Sequence, residues 1–150
     1  MPRVLKALGP DEGEALWAAG SLMIVKATAD DTGGGVTITE DVYSADFDSS
    51  EHVHPNEEQC LYMLAGSVEL ACGDDRRSLT PGCFAVLPRG VPHSFVVGSD
   101  GARFLSLTTP GGFEKLARAI GTPAAELTPP PDPAANMALA VQRFAEGAVG

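Results

Sequence analysis

No stretch of this chain approaches the ~18 consecutive apolar residues of a membrane-spanning helix. Basic clusters are missing too, the nearest thing to one being the pair Arg76-Arg77. With 20 acidic residues against 10 basic ones, the net charge is −10. A surface of that sign repels phosphate backbones and anionic lipids, which argues against nucleic-acid and membrane partners. Met1–Lys6 carries basic residues with no apolar run behind them, so no secretory signal and a cytoplasmic protein are expected. The 3 cysteines, Cys60, Cys72 and Cys83, are odd in number and form no CxxC pair. They read as reduced thiols on strands. Histidine is equally sparse, with 3 in 150 residues.

Turn residues, by contrast, are plentiful. The 17 glycines and 12 prolines favour short elements over long helices. Residues 14–109 read as a run of strands: Ala15–Ala18, Leu22–Ala29, Val36–Tyr43, His52–His54, Gln59–Leu64, Ser67–Cys72, Cys83–Leu87, His93–Val97 and Phe104–Thr108. Turn signals separate them, among them Gly33-Gly34-Gly35, Gly73-Asp74-Asp75 and Gly98-Ser99-Asp100-Gly101. Many short strands at this spacing predict an antiparallel sandwich or barrel. Trp17 and Phe104 are assigned to its core, and Asp46, Asp48 and Glu51 to a solvated loop.

After residue 109 the pattern becomes helical. Thr109-Pro110 offers an N-cap and first-turn proline, Phe113, Leu116, Ala117 and Ile120 follow helical spacing, and Gly121 is a stop. Past Pro129-Pro130-Pro131, Asp132-Pro133 opens a second helix with Met137, Val141, Phe144 and Ala145 on one face. The chain therefore divides into a barrel over 1–110 and a helical extension over 111–150. The helices are expected to cover the outside of the barrel, with a dimer contact or a lid as the other roles open to them.

All three histidines fall in two short motifs. In His52-Val53-His54, extended backbone turns both rings to one face, and Gln59 opens the next strand and can return to the same point. Pro88, Gly90 and Pro92 shape the turn that delivers His93. Histidine is the commonest metal ligand, and this pattern predicts one site for a divalent transition metal ion. Imidazole and oxygen ligands suit Fe, Mn, Ni, Co, Cu and Zn alike.

The two motifs, H-x-H-x4-Q-x6-G over His52, His54, Gln59 and Gly66, and G-x5-P-x-G-x2-H over Gly82, Pro88, Gly90 and His93, resemble those of the cupin family. The flanking stretches Gly13–Trp17, Lys26–Gly34 and Thr108–Glu114 resemble small bacterial cupins of a quercetin-dioxygenase-like subgroup. The resemblance implies an all-β double-stranded β-helix, or jelly-roll barrel, with C-terminal helices, a metal held by His52, His54, Gln59 and His93, and a homodimer. Three positions depart from the family pattern. Asp46 stands where the first motif opens with Gly, Val97 where the second ends with Asn, and Gln59 where a Glu is usual. Glu58 satisfies a looser spacing and is a candidate catalytic base. The count to Gly66 favours Gln59, and so does alternation, which then turns Leu61 and Met63 inward.

A glutamine leaves the ion its full +2 charge and favours an anionic ligand such as an enolate or phenolate. Leu61, Met63, Phe95 and Val97, with Phe84 or Val86, are read as an apolar pocket for a small aromatic or enolic molecule. The resemblance implies a metal-dependent oxidoreductase of dioxygenase type. A non-redox cyclase or isomerase and a non-catalytic binding protein are the competing readings.

Overall fold

The structure, a computed structural model, describes residues 2–146. In chain order the elements are β1 (Glu14–Ala18), β2 (Ser21–Ala27), α1 (Ala29–Thr32), β3 (Thr37–Tyr43), β4 (Glu58–Cys72), β5 (Asp75–Leu79), β6 (Phe84–Leu87), β7 (His93–Thr109), α2 (Phe113–Ile120), β8 (Thr122–Pro123) and α3 (Pro133–Ala145). All strand pairings are antiparallel. The order is β5-β4-β7-β3-β2-β1-β8, with β6 also paired to β4.

Two long strands, β4 and β7, form the spine. Each replaces two short strands expected from the sequence. The turn residues between the expected pieces bend the ladder without ending it: pairing jumps from Gly66↔Ala102 to Val68↔Val97, so residues 98–101 bulge from β7. Gly66 has φ +72°, and a Cβ there would collide with the carbonyl oxygen of Gly101. Only glycine meets both demands. Along β4, Leu61, Met63, Val68 and Leu70 turn into the core, where they meet Phe95, Val97 and Phe104 of β7. Tyr43 stacks on Phe47 and Phe104 at 4.9 and 5.5 Å between ring centroids.

Several expectations are corrected. His52–His54 is not a strand; His52 forms a single bridge to His93. Ala29 opens the short helix α1, where Thr28 and Asp31 form a capping box, and does not end β2. Asp75–Leu79, which lies outside the expected strands, pairs with β4. Thr109 still belongs to β7 and Pro110 precedes the helix, which starts at Phe113 with Gly112 as its N-cap. The buried Glu114 anchors that start, accepting hydrogen bonds from the Thr37 hydroxyl and from Ala29 N.

The second helix begins as expected, Asp132 accepting from Ala135 N at 3.0 Å. Asn136 pins it to the β1–β2 turn, accepting from Gly20 N at 2.5 Å and donating to Trp17 O at 3.3 Å. From that anchor α3 buries Met137, Ala140 and Phe144.

Replacing Gly66 by Ala is expected to destabilise the fold by at least about 2 kcal/mol, through a left-handed backbone and a steric clash together. Thermal unfolding of Gly66→Ala checks this; an unchanged Tm would contradict it.

Candidate metal centre

The histidines meet because two segments are clamped face to face. His52 N donates to His93 O and His93 N donates to His52 O, both at 2.9 Å. Such a reciprocal pair sets the two residues directly opposite, with side chains on one face. His54 follows two residues later on the same side, where its carbonyl accepts from Gly90 N at 2.9 Å. The ligand atoms of His52, His54 and His93 lie within 4.8 Å of one another, and all three side chains are buried.

The backbone also selects the ring tautomers. His52 Nδ1 lies 3.0 Å from Ser50 O and His93 Nδ1 lies 3.2 Å from Val91 O. A carbonyl only accepts, so each Nδ1 carries the hydrogen and each Nε2 keeps its lone pair. His54 Nδ1 faces the buried Glu57 carboxylate at 3.8 Å. At that separation the contact is electrostatic and falls short of a hydrogen bond. Burial, and then the charge of its two histidine neighbours, pushes His54 down to about 3. Burial and His52 lower His93 to about 4, and burial lowers His52 as well. Neutral rings are what a metal ion requires.

Four buried polar atoms around this group have no hydrogen-bond partner among the described residues: His93 Nε2, Gln59 Oε1, Glu57 Oε2 and Asp41 Oδ1. Gln59 Nε2 is engaged with Ser106 Oγ at 2.9 Å, which leaves the amide oxygen free in the cavity that His52 and His54 line. The His93 nitrogen and the Gln59 oxygen are both donor types that a divalent transition metal ion accepts.

The cavity is about 30 Å³, room for about one water. Tyr43, Phe95 and Phe104 line it from the barrel, and Phe113, Met137 and Phe144 from the helices. The Phe144 ring lies 4.5 Å from His54 and 5.3 Å from His52, centroid to centroid. The helices therefore bring residues to the site itself as well as covering the barrel. Much larger grooves, about 900 and 840 Å³, lie elsewhere and contain no histidine.

Of the expected pocket residues, Phe95 lines the cavity, while Leu61, Met63 and Val97 are packed into the core. Phe84 is not at the site. It pairs with Tyr62 on the outward side of the sheet and is 56% exposed, as is Val86. Strand alternation defines two faces, and Leu87, of the opposite parity, is the residue of β6 that turns in. Glu58 also points outward, holding Arg89 at 2.9 Å. Sequence patterns do not single out Asp41, Ser106 and Phe144, which line the cavity. The signal for Asp41 is the alternation of Thr37, Thr39, Asp41 and Tyr43 along one inner face of β3.

Residues 41–108 match the Cupin domain family model. With the relatives and folds that follow, this match supports a small cupin-superfamily protein. The chain is 34% identical over 97 residues to the quercetin 2,3-dioxygenase of Bacillus subtilis (strain 168), a match covering 65% of this chain and 28% of that protein. The Aspergillus japonicus quercetin 2,3-dioxygenase is 31% identical over 85 residues, covering 53% and 24%. The chain thus spans about a quarter of the length of these relatives. Among solved structures, an RmlC-like cupin from Shewanella frigidimarina NCIMB 400 aligns with a TM-score of 0.63 at 15% identity, over 77% of this chain and 99% of that one. KdgF from Halomonas sp. aligns with a TM-score of 0.57 at 19% identity, over 64% and 85%. These likenesses support an all-β cupin barrel, and the three-histidine cluster supports a metal-binding one. No helix among the described residues is long and apolar enough to cross a membrane.

A histidine held neutral by burial stabilises the fold above its ordinary value of 6.5, and that stability is lost as pH falls towards the lowered value. Metal-free wild type is therefore expected to lose up to about 3 kcal/mol more than His54→Gln between pH 7 and pH 4. Urea unfolding at both pH values measures the difference, and identical pH dependence would contradict it.

Proposed function

We propose that this protein is a metal-dependent enzyme acting on a small aromatic or enolic molecule, with His52, His54, Gln59 and His93 as the metal ligands. The observation that carries the proposal is the cluster of three neutral, buried imidazoles opposite an unpaired amide oxygen. The likeness to two quercetin 2,3-dioxygenases makes dioxygenase-type chemistry the leading reading. A divalent ion at this site supplies a Lewis acid for a ligand oxygen and, where redox-active, a route to oxygen.

The protein's own residues supply the rest. Ser106 holds the Gln59 amide through its Nε2, the Glu57 carboxylate faces His54, and aromatic rings wall the cavity. Phe144 closes the site, so anything larger than a few atoms enters only as α3 moves aside. Gln59 favours the second reading, a non-redox cyclase or isomerase, because a site without a coordinating carboxylate keeps its full charge for an oxyanion. A homodimer through the outer strands also belongs to the proposal, supported by the exposed row Tyr62, Phe84 and Val86. So does the division into a barrel over 1–110 and a helical extension over 111–150.

The test is oxygen uptake by metal-reconstituted protein offered a flavonol or a related enol. The expected result is oxygen consumption that falls about a hundredfold or more in His93→Ala. Turnover under argon instead selects the cyclase or isomerase reading. Binding without turnover of any such compound would contradict the enzyme reading.

A further inference from the structure

The four candidate ligands include no carboxylate, yet a carboxylate faces the same cavity from another strand. Asp41 lies on β3, which carries none of the candidate metal ligands, and is 4% exposed. Its Oδ1 has no hydrogen-bond partner among the described residues, and it lines the cavity with His52, His54 and Gln59. It stands outside the three-histidine cluster. Its strand neighbour Thr39 pairs in register with Ser106, the hydroxyl that orients Gln59, so a polar seam links the two sides of the cavity.

We propose that Asp41 is the proton-transferring carboxyl of this site and that the substrate is a small neutral weak acid: an enol, a phenol, or a ketone with an acidic C–H. This rests on the metal-dependent reading above. In the step, a substrate O–H or C–H bond breaks heterolytically. The proton passes to Asp41 Oδ1, and the electron pair stays on the substrate as a phenolate or enolate facing the histidine side. Asp41 then returns its proton to a substrate carbon or to water, so protons and electrons balance without a co-reactant.

The surroundings suit the exchange. In the metal-free protein burial raises the Asp41 carboxyl to about 7; the Thr39 hydroxyl opposes this and the charge of Glu40 adds to it. Glu40 itself turns outward to Lys26 and Arg103 at 3.6 and 3.0 Å. The other titratable groups lining the cavity are Tyr43, held neutral by burial, and the two histidines. Residues from β2, β7 and the two helices contribute no ionisable side chain to it.

The test counts protons released when acetohydroxamic acid, a small neutral acid that binds metals as its anion, is titrated into the zinc-loaded full chain near pH 8. Calorimetry in two buffers of different ionisation enthalpy gives the count. Wild type is expected to release close to zero protons per probe bound, because Asp41 keeps the proton. Asp41→Asn is expected to release about one and to bind the probe at least tenfold more weakly, with its zinc content unchanged. A wild-type count near one overturns the proposal on its own, whether or not Asp41→Asn folds. Equal counts in the two proteins overturn it too, as does failure of the zinc-loaded wild type to bind the probe. A wild type that takes up no zinc overturns the underlying metal reading instead.

Discussion

The site depends on two backbone hydrogen bonds. The reciprocal pair between His52 and His93 joins segments forty-one positions apart and turns both rings to one side. The long β4–β7 ladder holds the same corner together, since Cys72↔His93 ends the pairing that begins at Glu58↔Thr109. Each of these imidazoles then gives its Nδ1–H to a carbonyl within two residues of itself. Ring orientation is thus set locally and ring proximity by the sheet. Taking three imidazoles out of water is unfavourable for their charged forms, so the packing that gathers them also keeps them neutral.

Around that corner the protein builds a small chamber walled largely by aromatic rings. Barrel rings wall it from below, and Phe144 and Phe113 wall it from above. Asn136 and the Asp132 cap hold the start of α3, and among the described residues its later part packs Ala140 and Phe144 into the structure. This division, a fixed start and a packed end, suits a helix that must let a substrate in without leaving the fold.

Much of the site was legible because its physics is local. Period-two alternation puts His52 beside His54 and turns Gln59, rather than Glu58, inward, and the glycine and proline turn before His93 is plain in the residue types. Gly66 was legible as a motif position, though its reason, the carbonyl of Gly101 across the bulge, is long-range. Alternation cannot say which of two faces is inside, and for that reason Phe84 was set in the pocket when Leu87 is the residue that turns in. Phe144 was readable only as one face of a helix, because nothing near it in sequence records that the face meets two histidines. Asp41 sat in an evident strand but looked like an ordinary polar residue until the barrel closed around it. The strand Asp75–Leu79 escaped because its stability comes from pairing with β4 and not from its own composition.

The central claim is that His52, His54, Gln59 and His93 form one metal site. The most direct measurement is metal stoichiometry by inductively coupled plasma mass spectrometry, on untagged protein purified without chelator and again after titration with divalent ions. The account predicts about one ion per chain, with loss of most of it in His52→Ala and a large reduction in Gln59→Ala. No bound metal and no uptake on titration would contradict it.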